Sequence, residues 1–428
     1  MFDIIIIGGG AAGFFAAINI AEKSPKLKIA ILERGKQVLT KVRVSGGGRC
    51  NVTHAEFVPG DLVKNYPRGE KELLGPFHTF STGDTIEFFE KRGIPLKIEA
   101  DGRMFPESNS SQTIIDCFMA ETERLGIKIL RNSSVIAIDK MGKTDEIAQK
   151  HWKVQSIQKS YYSKKLVVAT GSSSKIWGLI EKLGHSIEPP VPSLFTFNIK
   201  DDRIDGIQGV STNVTIDIMA KNSMTSKITV QLKSKVASNT VLESEGPLLI
   251  THWGMSGPAI LKLSAWGAVL LNKYKYNFRI RVNWLPEYHK EAVFNLLLEV
   301  RSTEPKKTIY RTTGVDIPKR LWKKLVLAAE IPEMLKWADI SKIQMQNLAN
   351  QLTSSEFQVT GKSTFKEEFV MAGGVTLKEI NFKTYESKIH ENLFFAGEVM
   401  NVDAITGGFN FQNAWTGAYI VAQAIVKN

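Results

Sequence analysis

Phe2-Asp-Ile-Ile-Ile-Ile7 runs directly into Gly8-Gly-Gly-Ala-Ala-Gly13 and then Phe14-Phe-Ala-Ala17, and this stretch decides the fold. Ile4 to Ile7 form a β-branched run that suits a parallel strand buried on both faces. The spacing Gly8-x-Gly10-x-x-Gly13 follows at once, and Phe14 to Ala21 reads as the next helix. Gly8 permits the tight turn, Gly10 lets a pyrophosphate approach the backbone, and Gly13 lets helix pack on strand. The helix N-terminus then presents its positive end to phosphate. A second apolar strand, Lys28 to Leu32, ends at Glu33, whose carboxylate can accept the hydroxyls of an adenosine ribose. Strand, glycine turn, helix, strand and acid in this order predict a dinucleotide site. The charge of Glu33 would repel the 2′-phosphate of NADP, which leaves FAD or NAD.

Downstream, Lys41-Val-Arg-Val-Ser-Gly-Gly-Gly-Arg-Cys-Asn-Val-Thr-His54 places three glycines before Arg49, Cys50 and Asn51, a second place where backbone can reach a ligand. Near the other end, Leu393-Phe-Phe-Ala-Gly-Glu398 reads as a buried strand closing on an acid. Asp403 and Gly407-Gly-Phe-Asn-Phe-Gln-Asn-Ala414 follow, entering a helix whose N-terminus suits the electron-rich end of a reduced flavin. One nucleotide site is therefore built from opposite ends of the chain, and the middle is an insertion.

The chain has 428 residues, 43% hydrophobic and 23% charged, the balance of a folded globular protein of more than one domain. Two cysteines, Cys50 and Cys117, cannot build a disulfide framework, so a reducing compartment, the cytoplasm, is expected. The apolar start lacks a basic leader and is broken by glycines, so it reads as structure, and no uncharged run reaches the length of a membrane helix. No metal ligands are assigned. The net charge of +12 would favour an anionic partner.

Five blocks together, Gly8 to Gly13, Ser45-Gly-Gly-Gly-Arg-Cys-Asn51, Gly102-Arg-Met-Phe-Pro106, Thr251-His-Trp-Gly-Met-Ser-Gly-Pro258 and Ala396 to Gln412, resemble the bacterial YhiN/BaiN-like flavoproteins from end to end. The resemblance implies an α/β fold: a glutathione-reductase-like Rossmann FAD-binding domain, interrupted by a β-rich, barrel-like domain that carries a helical insertion. The corresponding boundaries are 1–190 with 366–428, 191–285 with 353–365, and 286–352. A Pro-rich switch, Pro189-Pro-Val-Pro192, opens the insertion, with strands expected at Val210 to Ile218, Lys227 to Leu232 and Phe357 to Thr360. Gly373-Gly-Val375 re-enters the FAD domain.

On this resemblance the FAD contacts fall on Gly8, Gly10, Ala12, Gly13, Glu33, Arg34, Lys41, Gly46, Gly48, Arg49, Cys50 and Asn51, then on Val135, Thr170, Gly171, Gly397, Glu398, Asp403, Gly408, Asn410 and Phe411. Two positions depart from the family pattern. Ser172 stands where a second glycine is usual, which would cost about 1 kcal/mol if that position needs positive φ. Asn401 stands where an acid is common.

Related proteins act as amine oxidases, as reductases of conjugated enones, and as enzymes that reduce a uridine of ribosomal RNA to dihydrouridine. The last two share their chemistry, hydride to one end of a conjugated C=C and a proton to the other. NAD(P)H as the transient reductant follows from the family, since no second glycine fingerprint is present. Cys50 is the expected proton donor, with Arg49 beside it to hold a carbonyl oxygen and His252 as the rival acid. His54 is a weaker candidate. Alternatively, Cys50 is a packed thiol and His252 a structural residue.

Residues 200 to 362 hold 23 Lys+Arg against 15 Asp+Glu, which is +8 of the total +12. Ile317 to Val326 reads as a helix with Lys319, Arg320, Lys323 and Lys324 on one face and Leu321 and Leu325 on the other. That face is either ordinary solvated surface or an RNA phosphate-tracking surface. Trp253, Phe409, Phe411 and Trp415 are candidates to receive a displaced base, each of which could equally be core. Three functions remain open: the ribosomal RNA reductase, a small-molecule flavoenzyme, and a flavin-bearing RNA-binding protein without catalysis.

Overall fold

The computed structural model describes residues 1–142, 152–219, 240–364 and 370–427. The expected strand Lys227 to Leu232 lies outside the described residues. The chain divides into two compact units, one of residues 1–192 and 366–428, the other of residues 193–365.

The first unit is built on parallel strands in the order Leu393–Phe395, Ser160–Val168, Phe2–Ile7, Ile29–Leu32 and Lys128–Leu130. Phe2–Ile7 lies at the centre, and Ile4 to Ile7 are buried on both faces, which is why the run is unbroken by polar residues. An antiparallel meander, Val135–Lys140 and Trp152–Ser156, continues from Ser160–Val168. Helix Ala11–Lys23 packs against the C-terminal helix Phe409–Lys427 through aromatic contacts, with Phe15 and Trp415 centroids 5.2 Å apart. A small antiparallel sheet joins Thr53–His54, Arg103–Pro106 and Leu96–Ile98.

Pro189 to Pro192, expected as a switch between domains, lies inside a strand, Ile187–Pro192, paired antiparallel with Met371–Val375. A bulge between Glu188 and Val191 takes up the prolines, which have no N–H to give a ladder.

The second unit holds a seven-stranded antiparallel sheet in the order Ser355–Val359, Phe278–Asn283, Ser211–Met219, Thr240–Thr251, Gly254–Ser256, Thr196–Asn198 and Gly361–Ser363. Helix Pro258–Lys273 packs on it, followed by helices Lys290–Thr303, Lys319–Ala328 and Lys342–Thr353. One hydrophobic cluster runs from Phe195 and Ile216 through Trp284 to Leu321, Trp337 and Leu352, so sheet and helices share a core. The basic helix begins two residues later than Ile317, after Pro318, whose fixed φ suits the entry to a helix. Trp322 and Val326 join Leu321 and Leu325 in the core, while Lys319, Arg320 and Lys323 are exposed and Lys324 is half-buried.

Candidate dinucleotide site

The glycine turn is shaped by close backbone approach. Gly8 has φ +116, and a Cβ there would overlap the carbonyl of Ala169, while one at Gly13 would overlap that of Gly8. At Gly10, by contrast, a Cβ would meet nothing within 4 Å. Gly10 is also the N-cap of helix Ala11–Lys23, and no side chain caps it, so the first-turn amides face this open space. Uncapped amides, an open approach and a positive helix end fit a pyrophosphate.

Glu33 is held where the motif places it. Its Oε2 accepts from the Gly9 amide at 3.0 Å and its Oε1 from the Gly35 amide at 2.8 Å. Exposed Arg34 follows it, and Val135, buried, starts the strand that leaves this end of the sheet. Lys36, Gln37, Val38, Arg43, Gln112, Ile115, Asp116, Met119 and Arg131 line a cavity of about 270 Å³. Val38 is also the side chain that a Cβ at Gly9 would touch, so cavity and glycine turn share a wall. Three cations against one carboxylate suit an anion, and Gln112 bridges Arg43 at 2.7 Å and Asp116 at 2.6 Å. Sequence reasoning assigned none of these residues, because single cations scattered over a hundred positions carry no spacing signal.

The distant ends of the chain do meet. Lys41 Nζ lies 2.6 Å from Glu398 Oε2, and the position of a Cβ on Gly171 would be 3.6 Å from the same oxygen. A Cβ on Gly397 would stand 3.3 Å from that of Ala12. Thr170 is half-buried beside Gly171. The expected strain at Ser172 is absent: Gly171 carries the positive φ, +59, and Ser172 does not. Asn401 accepts from the Gly373 amide at 3.0 Å, a structural role that needs no charge.

The Ser45 to Asn51 block is a broken helix end, not an open loop. Helix Thr40–Gly48 is interrupted at Ser45, Gly46 and Gly47, and Gly46, Gly47, Gly48 and Cys50 all take left-handed φ. A Cβ on Gly46 would stand 2.8 Å from the Phe105 ring. Asn51, its amide oriented to satisfy its neighbours, donates to Thr53 O at 3.0 Å and Met104 O at 3.2 Å, and accepts from the Gly408 amide at 2.9 Å. Gly408 itself approaches Thr53 O too closely for a side chain.

Cys50 has no exposed surface, and burial pushes its thiol up to about 12. It therefore keeps its proton at neutral pH. Arg49 is half-buried: its guanidinium pairs with Glu99 at 2.5 Å and lies over the Phe105 ring at 3.9 Å. Glu99 also reaches Arg103 at 3.2 Å, so one carboxylate steadies two guanidinium groups. Glu99 and Phe105 position Arg49; Phe105 falls in the Gly102 to Pro106 block, whereas Glu99 lies outside every block and had no sequence signal. His54 stacks on Phe409 at 4.4 Å, with its Nδ1 3.0 Å from Gly407 O.

Asp403 is fully buried and clamped in a bidentate pair by Arg68, through Nε and Nη2. Arg68 had no sequence signal. Asn410 closes the same loop, its side chain accepting from the Ala404 amide at 3.0 Å and donating to Ala404 O at 3.2 Å. Phe411 lies flat on Trp415, 5.5 Å between centroids. His252 belongs to the second unit, exposed in the turn between Thr240–Thr251 and Gly254–Ser256.

A family model described as HI0933-like protein Rossmann domain matches residues 2–424. A ribosomal RNA dihydrouridine synthase of Haemophilus influenzae is 30% identical over 99% of this chain and 98% of its own. One of Escherichia coli is 29% identical over 99% and 98%. A 3-dehydro-bile acid delta(4,6)-reductase of Clostridium scindens is 26% identical over 100% of both chains. Among solved structures, a 3-ketosteroid-delta4-(5alpha)-dehydrogenase of Rhodococcus jostii matches with a TM-score of 0.51 at 11% identity, covering 100% of this chain and 97% of that one, a likeness of fold alone.

Proposed function

From the premise that this chain belongs to the HI0933-like family of Rossmann-domain proteins and is an FAD-dependent oxidoreductase, we propose that it reduces a uridine of ribosomal RNA to dihydrouridine, with NAD(P)H as reductant. The observation that carries this reading is the near-complete overlap, at 30% identity, with a protein named for that reaction. The exposed basic face of Lys319, Arg320 and Lys323, with Lys324 at its margin, supports it as a surface for RNA phosphates. The balance is uridine, NAD(P)H and one proton giving dihydrouridine and NAD(P)⁺.

Bound FAD supplies hydride chemistry through N5 of its reduced ring. Glu33 would hold the ribose hydroxyls, the uncapped first-turn amides after Gly10 would face the pyrophosphate, and Glu398 with Lys41 would close the far wall. Arg49 keeps 32% of its side chain exposed, and we assign it to the C4 carbonyl oxygen of the uracil, where it would stabilise the negative charge that develops on reduction. Glu99 and Phe105 hold that guanidinium in one plane. Cys50, whose thiol stays neutral, is the proposed proton source for C5, and His252 is the alternative donor.

A small-molecule enone reductase is the second reading, favoured by the full-length similarity to the bile-acid reductase. The test is nucleoside mass spectrometry of ribosomal RNA from cells with and without the gene, complemented by wild type, Arg49→Ala and Cys50→Ala. Loss of dihydrouridine, restored by wild type alone, is the expected result. Unchanged dihydrouridine overturns the RNA reading, and turnover of a steroid enone with NAD(P)H then becomes the expectation.

A further inference from the structure

The four aromatic side chains of the motif blocks have very different surroundings. Trp415 is wholly buried, its indole N–H donating to Val52 O at 2.9 Å. Phe409 is buried against His54 and Tyr66. Phe411 has one face covered by Trp415, at 9° between planes. Trp253 is different: 58% of its surface is exposed, and among the described residues no other tryptophan is an exposed one.

A single exposed apolar residue needs no explanation. What sets Trp253 apart is the rigidity of the backbone that presents it. The turn joins strands Thr240–Thr251 and Gly254–Ser256, paired through Leu249–Ser256, Ile250–Met255 and Thr251–Gly254. Thr251 Oγ1 accepts from the Trp253 amide at 3.3 Å and donates to Gly254 O at 3.2 Å. Trp253 O in turn accepts from the Ile199 amide at 3.0 Å. Gly254 has φ +140 and lies so close to Phe197 O that no side chain fits. A large ring is thus held out from a fixed backbone, and stacking on it forfeits little conformational freedom.

The segment after Ile199 also connects this turn to the basic helix. Arg320 donates to Gly206 O at 2.8 Å and to Gln208 O at 3.5 Å, while the Gly209 amide donates back to Ile250 O at 2.9 Å. Within that segment Asp201 is neutralised by Arg203 at 2.7 Å, and Asp202 and Asp205 are exposed, so phosphate contacts fall to the basic helix and the turn itself offers only the face of the ring.

We propose that Trp253 is a stacking platform for an unpaired nucleobase of the RNA substrate, with His252 beside it in the same exposed turn. This rests on the ribosomal RNA reading above. Base–aromatic stacking is tolerant of sequence, because every base has a π-face, so the residue strengthens capture of single-stranded RNA without choosing the base.

The test uses full-length, FAD-loaded protein and a labelled single-stranded oligouridine, followed by fluorescence anisotropy at fixed ionic strength, with dihydrouridine formation on ribosomal RNA measured in parallel. Trp253→Ala is expected to weaken oligouridine binding roughly 5- to 150-fold, the range for loss of one stack, and to raise KM for RNA. Trp253→Phe is expected to recover most of the affinity while losing the tryptophan quenching that RNA causes in wild type. Equal flavin content by absorbance and an unchanged thermal unfolding transition by circular dichroism establish that both units of each variant are folded. If Trp253→Ala binds like wild type while both make dihydrouridine, the platform is refuted and the RNA reading stands. If wild type neither binds oligouridine nor makes dihydrouridine, both fall, and a rise in KM for a steroid enone in Trp253→Ala would assign the ring to a small apolar substrate.

Discussion

Arg68→Ala tests how the two ends of the chain are locked together. Asp403 has no exposed surface, and Arg68 is only 14% exposed at its side chain, so the pair is screened little by solvent. Removing the guanidinium leaves a buried carboxylate without its bidentate donor, which costs about 3–5 kcal/mol. For a unit of this size, each kcal/mol moves the thermal midpoint by roughly 2–4 °C, so the expected fall is roughly 6–20 °C. The double variant Arg68→Met/Asp403→Asn, which removes both charges, is expected to recover most of it, because the penalty belongs to the stranded charge and not to the missing contact. The assay is thermal unfolding followed by circular dichroism, with flavin absorbance recording whether the site still loads. A midpoint for Arg68→Ala within about 1 °C of wild type, on the same scale, would refute the argument that this pair closes the loop before the C-terminal helix.

Other consequences can be checked in the same preparations. Gly13→Ala is expected to abolish soluble protein, since its Cβ would overlap Gly8 O, whereas Gly10→Ala is expected to leave the fold intact and weaken FAD retention, since its Cβ meets only open space. Cys50 and Cys117, with thiols raised to about 12 and about 11 from an ordinary value of 9.0, are expected to resist alkylation at pH 8 in the native protein and to react on unfolding. The same shifts fix a sign: the unfolded chain releases its thiol protons first, so stability is complete below pH 9.0 and declines as pH rises toward 12. His185, buried against Glu379 at 2.9 Å, is shifted the other way, because burial lowers it from 6.5. The unfolded chain therefore gains that proton first on acidification, and stability is expected to fall as pH drops below 6.5, a loss that His185→Gln should remove. Lys319→Ala/Lys323→Ala is expected to reduce the salt dependence of single-stranded RNA binding by roughly 1.4 in the log–log slope, two phosphate contacts' worth, and an unchanged slope would count this helix as ordinary solvated surface.

What was legible in the sequence was local. The Ile4 to Ile7 strand, the glycine spacing, the following helix and Glu33 are specified by residues within about one βαβ unit, where Gly13 must clear Gly8 O, although Gly8 must also clear the remote Ala169 carbonyl. The amphipathic pattern of Lys319 to Ala328 is local in the same sense, and its apolar stripe packs as the pattern requires, with Trp322 and Val326 added. Tertiary structure decided everything that depends on neighbours remote in the chain. Arg68 meets Asp403 across 335 positions, Lys41 meets Glu398 across 357, and the Asn51 side chain secures Gly408. No local spacing encodes such pairs, because either partner alone is an unremarkable charged or amide side chain. Burial is decided the same way: Cys50 lies in the most recognisable block of the sequence, yet whether its thiol is reactive or inert depends on how much protein closes over it. Its neutral, enclosed state follows from desolvation by the assembled fold, a quantity the order of residues around it does not contain.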